Sequence, residues 1–111
     1  MCILCDNSEI DTNTILLDCS NCKQIKLLPT NLPNLKFLVI YSTNIRVVPE
    51  YPALEVLYIM NCPIESLPDF PKLKKLNASN SKLSSIPDTY IRLEYLLMDN
   101  TLIQSLPDTL I

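Results

Sequence analysis

The chain has no glycine and no histidine among its 111 residues. Without histidine there is no Ser-His-Asp or Cys-His nucleophile system and no HExxH metal site. Without glycine there is no phosphate-cradling loop and no dinucleotide fingerprint, because both need close backbone approach. No basic run occurs, and the formal net charge is −3. A mildly acidic surface draws neither nucleic acid nor an anionic membrane. The apolar stretches are far too short to span a bilayer. The start, Met1-Cys2-Ile3-Leu4-Cys5-Asp6, has neither the basic flank nor the long apolar segment of a secretion signal. An intracellular, cytoplasmic, non-enzymatic protein is the expectation, with its thiols mostly reduced. The triplet Asn77-Ala78-Ser79 then carries no glycosylation consequence.

What the chain does have is an internal repeat of about twenty residues. Leu35, Leu38, Ile40, Thr43, Ile45, Val48 and Pro49 form one unit. Leu54, Leu57, Ile59, Cys62, Ile64, Leu67 and Pro68 form the next. Leu73, Leu76, Ala78, Ser81, Leu83, Ile86 and Pro87 follow, and then Leu93, Leu96, Met98, Thr101, Ile103, Leu106 and Pro107. The closing prolines fall 19, 19 and 20 residues apart. A unit this short cannot bury its own apolar side, so the units must stack into a solenoid. An irregular earlier unit (Leu17, Cys19, Cys22, Ile25, Leu28, Pro29) makes five. Residues 1–13 do not fit the pattern and are expected to cap the solenoid, which occupies 14–111.

Within each unit a three-residue segment alternates its faces as a short strand does. Leu38-Val39-Ile40, Leu57-Tyr58-Ile59, Leu76-Asn77-Ala78 and Leu96-Leu97-Met98 each point their outer residues inward and their middle residue outward. Stacked in register, they form a parallel sheet. The small inward residue after each strand (Thr43, Cys62, Ser81 or Thr101) is placed to satisfy backbone groups in the turn. The return side is rich in proline, which favours extended or turn segments over helix. Leu32, Tyr51, Phe70 and Ile91 are expected to plug the back of the core.

These residues resemble the leucine-rich repeat pattern LxxLxLxxNxLxxLP, in its shortest class with units ending in Leu-Pro or Val-Pro. The resemblance covers about residues 14–111. It is similar to the Leu-Pro-type effectors of bacterial pathogens, and in its Cys-, Asn- and Ile-rich composition to proteins of large DNA viruses of amoebae. It departs at the turn column, where Cys, Ser or Thr replaces the usual asparagine. Asparagine stands one place earlier, at Asn21, Asn61, Asn80 and Asn100. The resemblance implies an α/β-class solenoid with little helix. It also implies a protein partner on the sheet face.

That face presents Phe37, Val39 and Tyr41, then Val56, Tyr58 and Met60, then Lys75, Asn77 and Ser79, then Tyr95, Leu97 and Asp99. Aromatics and methionine in an exposed array are typical of protein interfaces. Val and Tyr are also simply good strand residues. The candidate partner-binding residues are Phe37, Val39, Tyr41, Val56, Tyr58, Met60, Tyr95 and Leu97. Glu50, Asp69, Asp88 and Asp108 each follow a closing proline and read as a solvated column.

Cys2 and Cys5 form one Cys-x-x-Cys, and Cys19 and Cys22 a second. Two such pairs can surround a tetrahedral, structural zinc. Against this, Cys19 and Cys22 sit at inward repeat positions equivalent to Ile40 and Thr43, where a plain buried thiol is ordinary. Both readings stand. The last unit is expected to expose Leu93, Leu96, Met98 and Ile103 on its open side, so that a partner covers this end, two copies stack there or the chain is a fragment; self-association or marginal stability is the expectation there. Beside the interaction module stand two rivals: a recognition subunit of a ubiquitin-ligase or effector system, and a self-assembling structural protein.

Overall fold

An apolar residue on either side of one outward residue makes a strand whose two faces have opposite fates. In the computed structural model, which describes residues 10–107, five such strands form. They are β1 (Leu16–Asp18), β2 (Phe37–Val39), β3 (Val56–Tyr58), β4 (Lys75–Asn77) and β5 (Tyr95–Leu97). They lie in sequence order in one parallel sheet. The register is regular: Leu17, Leu38, Leu57, Leu76 and Leu96 stand side by side. The chain thus winds as a solenoid, and each turn returns it one strand further on.

The inward columns close the core. Leu35, Leu54 and Leu73 are buried, as are Ile40, Ile59 and Ala78 on the inner side after the strands, and Ile45, Ile64 and Leu83 beyond the turn. Leu17, Cys19, Ile25 and Leu28 of the irregular first unit join the same cluster. Cutting any one of these buried leucines or isoleucines back to alanine costs about 2–5 kcal/mol, because neighbours locked in a stack cannot collapse into the gap.

No helix occurs among the described residues, so the α half of the expected α/β class is missing. Proline accounts for this. Leu32-Pro33-Asn34-Leu35 makes a tight turn in which the Leu35 amide donates to the Leu32 carbonyl at 3.2 Å. Tyr51-Pro52-Ala53-Leu54 and Phe70-Pro71-Lys72-Leu73 repeat it, each closed by an amide–carbonyl bond of 3.1 Å. Proline presets φ for the second position of such a turn and cannot carry a helical ladder. The return side is therefore turns and extended chain, and no described segment is a helix that could cross a membrane.

One expectation fails at the back of the core. Leu32, Tyr51 and Phe70 are buried there, but Ile91 is 70% exposed and Tyr90 is 0% exposed. The fourth of the regular units carries an extra residue. A second turn, with the Tyr90 amide donating to Pro87 O at 3.3 Å, absorbs it. Tyr90 then starts the turn that closes at Leu93, and Ile91 occupies the place of Pro33, Pro52 and Pro71. The buried tyrosines also tie units together. The Tyr51 hydroxyl donates to Pro29 O and the Tyr90 hydroxyl to Pro68 O, both at 2.6 Å. Phe70 lies between them and packs against the Tyr90 ring at 6.1 Å between centroids.

The turns after the strands show what a chain without glycine must do. Asn21, Ser42, Asn61, Asn80 and Asn100 all take φ between 57° and 63°. That left-handed conformation is ordinarily a glycine position, and asparagine is the side chain best able to replace it. The asparagines one place before the turn column thus supply backbone geometry. The next residue, at the column itself, satisfies polar groups. The Thr43, Ser81 and Thr101 hydroxyls accept from the amides of Ile45, Leu83 and Ile103. The Cys62 thiol donates to Ile40 O at 2.9 Å and lies 3.4 Å from the Thr43 hydroxyl.

Two outcomes follow from this packing. Ser42 alone among these turn positions lacks asparagine, so Ser42→Asn should stabilise the fold by some tenths to about 1 kcal/mol, read as a higher urea midpoint. The exposed Asn61, changed to Ala, should lose about 1–2 kcal/mol. An unchanged Asn61→Ala midpoint contradicts the backbone argument.

The second outcome concerns base. Burial, with Cys19 adding to it, pushes the Tyr51 hydroxyl above the phenol range. Burial, then the Asp69 carboxylate, does the same to Tyr90. Folded chains hold both protons above about pH 10, where unfolded tyrosine ionises. The stability from these groups is complete below that pH and is lost as pH rises through the folded values. The loss is up to about 1.4 kcal/mol per pH unit for each tyrosine. Urea titrations from pH 8.5 to 11.5 should show a shallower fall for Tyr51→Phe/Tyr90→Phe than for wild type, and equal slopes would refute the assignment.

Candidate functional site

Parallel register converts the outward residues into three rows running across the sheet. The first is Leu16, Phe37, Val56, Lys75 and Tyr95, and the second is Asp18, Val39, Tyr58, Asn77 and Leu97. The third continues just past the strands with Ser20, Tyr41, Met60, Ser79 and Asp99. Its alignment is held by amide–carbonyl bonds from Asn21 to Tyr41, Ser42 to Met60, Asn61 to Ser79 and Asn80 to Asp99.

Neighbouring strands in a ladder lie about 4.8 Å apart, so side chains in one row touch along it. Val39, Tyr41, Val56, Tyr58 and Met60 are half-buried for this reason, although all face outward. Phe37, at the first row, is more open. These six form one contiguous apolar field over β2 and β3. Leu16 on β1 extends it. It is 59% exposed and stands directly beside Phe37. Its signal lay in the match of Cys19 and Cys22 to Ile40 and Thr43, which sets Leu17 opposite Leu38 and Leu16 opposite Phe37.

Tyr95 and Leu97 do not join this field. Lys75, Asn77 and Ser79 of the intervening unit form a polar strip between them and β3. The Asn77 side chain is turned to local use, accepting from the Ser79 amide at 3.2 Å. Beside the strip, Lys74 and Glu55 lie 3.7 Å apart, an exposed pair worth little in stability. The eight candidate residues therefore make two patches of unequal size.

The cysteines divide differently. Cys2 and Cys5 lie outside the described residues. Cys19 is fully buried in the core. Cys22 is partly exposed at the turn column and is disulfide-bonded. A sulfur in a disulfide offers no thiolate, so a zinc site using Cys22 requires that bond to be reduced. Glu50, Asp69 and Asp88 are exposed, with Asp69 accepting from the Thr89 hydroxyl at 2.6 Å. Asp108 lies outside the described residues.

At the far end the inward columns open. Leu93, Leu96, Met98, Ile103 and Leu106 are all partly exposed, whereas their counterparts Leu73, Leu76, Ala78, Leu83 and Ile86 are buried. Leu93, Leu96, Met98 and Leu106, with Glu94 and Tyr95, line a hollow of about 260 Å³. Compared with known protein families and with curated proteins, the chain matches none.

Proposed function

We propose that the chain is a non-catalytic binding module of the leucine-rich repeat kind, which holds a partner protein on its sheet face. The observation that carries this reading is the contiguous field of Phe37, Val39, Tyr41, Val56, Tyr58 and Met60, continued by Leu16. Three rows on a rigid ladder, each carrying one aromatic of the field (Phe37, Tyr58 and Tyr41), offer anchor positions whose side-chain freedom is already reduced, so little entropy is lost on docking. The field holds no charge, which favours an apolar or neutral patch on the partner. The short Leu-Pro-ending units that resemble leucine-rich repeats support the same reading. Binding partners are recovered from cells of the native source with wild type and with Tyr58→Glu/Met60→Glu. The variant should lose its principal partner by tenfold or more. Ser79→Glu, on the polar strip, should keep it. If the double variant melts like wild type and recovers the same partner, the sheet face is not the contact surface.

A second reading rests on the opened last unit. Its partly exposed columns can be covered by the same unit of a second copy, which would bury apolar surface that the other units already bury. Light scattering across a dilution series should then show a dimer giving way to monomer, and Leu96→Lys should hold the chain monomeric. A wild-type chain that is monomeric throughout sinks this reading.

A further inference from the structure

Each of the five units closes on the sequence apolar-x-x-apolar-Pro, and its two middle residues are exposed in every unit. The second of them is serine in the last three units, at Ser66, Ser85 and Ser105. In the first two it is Leu27 and Val47, which are 81% and 65% exposed. Neither belongs to the core or to the sheet face. Beside each stands a cation, Lys26 and Arg46, at the position that Glu65, Ser84 and Gln104 occupy later.

These four residues, with Asn44 and Pro63, line a hollow of about 540 Å³. A second hollow of about 380 Å³ shares Asn44 and Pro63 with it and adds Lys23 and Lys82 to its walls. The two form one open groove that crosses from the first unit to the fourth. Asn44 braces its middle, donating through its side-chain amide to Lys23 O at 2.9 Å. Four of the chain's nine cations line the groove, and no carboxylate does. Among the described residues none of the four is in an ion pair. In a chain with a net charge of −3, this is a local field of the opposite sign.

We propose that this groove binds an extended acidic peptide segment of another protein. Its carboxylates pair with Lys23, Lys26, Arg46 and Lys82, and its apolar side chains lie on Leu27 and Val47. Charge complementarity sets the sign of the ligand, and the paired aliphatic side chains set its amphipathic character. Nucleic acid fits less well, because no aromatic ring lines the groove to stack a base. The groove is separate from the sheet face, and the proposal stands without the reading given for that face.

The test is selection from a random peptide display library on the folded chain. Enriched peptides should carry two or more carboxylates interspersed with apolar residues, and their affinity should fall as salt is raised. Two variants are compared. Leu27→Ser/Val47→Ser gives the first two units the residue of the later three, and Lys26→Glu/Arg46→Glu reverses the charge. All four side chains are exposed, so both variants should melt as wild type does. Each should weaken the selected peptides by at least tenfold, while Tyr58→Glu on the sheet face should leave them unchanged. Recovery of no enriched peptide, of peptides lacking acidic residues, or of peptides that bind both variants as well as wild type overturns the proposal.

Discussion

Every structural feature of this chain depends on one constraint: no unit can satisfy its own backbone or bury its own apolar side. The amides of one unit reach the carbonyls of the next, as Cys19 does to Val39, Ile40 to Tyr58, Ile59 to Asn77 and Ala78 to Leu97. At the start of each strand the traffic runs the other way. The Ile15, Lys36, Glu55 and Lys74 carbonyls each take two successive amides of the following unit. Leaving such groups dry and unpaired would cost several kcal/mol apiece, so the coil can close only in one register. That register in turn aligns the inward leucines, the outward rows and the turn column.

The turn column shows how local chemistry serves this constraint. A left-handed residue must follow each strand to send the chain toward the return side, and asparagine takes that place in four of five units. The residue after it is inward and small, and its hydroxyl or thiol collects backbone groups that the turn strands. Two adjacent positions thus divide the work of the turn, one supplying the left-handed backbone and the other the inward polar group. Stacking adds a further link on the outside of the turn, where the Asn100 side chain donates to that of Asn80 at 3.0 Å.

Much of this was readable from residue order, and the exceptions have physical causes. The alternation of Leu38, Val39 and Ile40, or of Leu57, Tyr58 and Ile59, survives in the fold because a two-residue period leaves no other choice once one face is buried. The Ile91 placement fails by one position. Counting back three from Leu93 finds Tyr90, as it finds Tyr51 from Leu54. The missing helix follows from prolines already visible in the chain. Leu16 was legible as well, because the match of Cys19 and Cys22 to Ile40 and Thr43 sets it opposite Phe37, and the extra residue of the first unit falls only after Cys22. The cationic groove escaped because its walls come from four units, and only the coil brings Lys23, Arg46 and Lys82 to one side.

The even spacing of the units bears on how the chain acquires its fold. Partners in the ladder are about twenty residues apart at every step, so each new unit closes a loop of similar length. The length-dependent part of that closure is roughly 2.7 kcal/mol each time. A first pair of units must bear it with little buried surface in return. Each later unit docks on a surface already formed, where the tyrosine bonds to Pro29 and Pro68 and the apolar columns offset it at once. Assembly is thus a matter of one difficult beginning followed by growth, in the manner of a one-dimensional crystal.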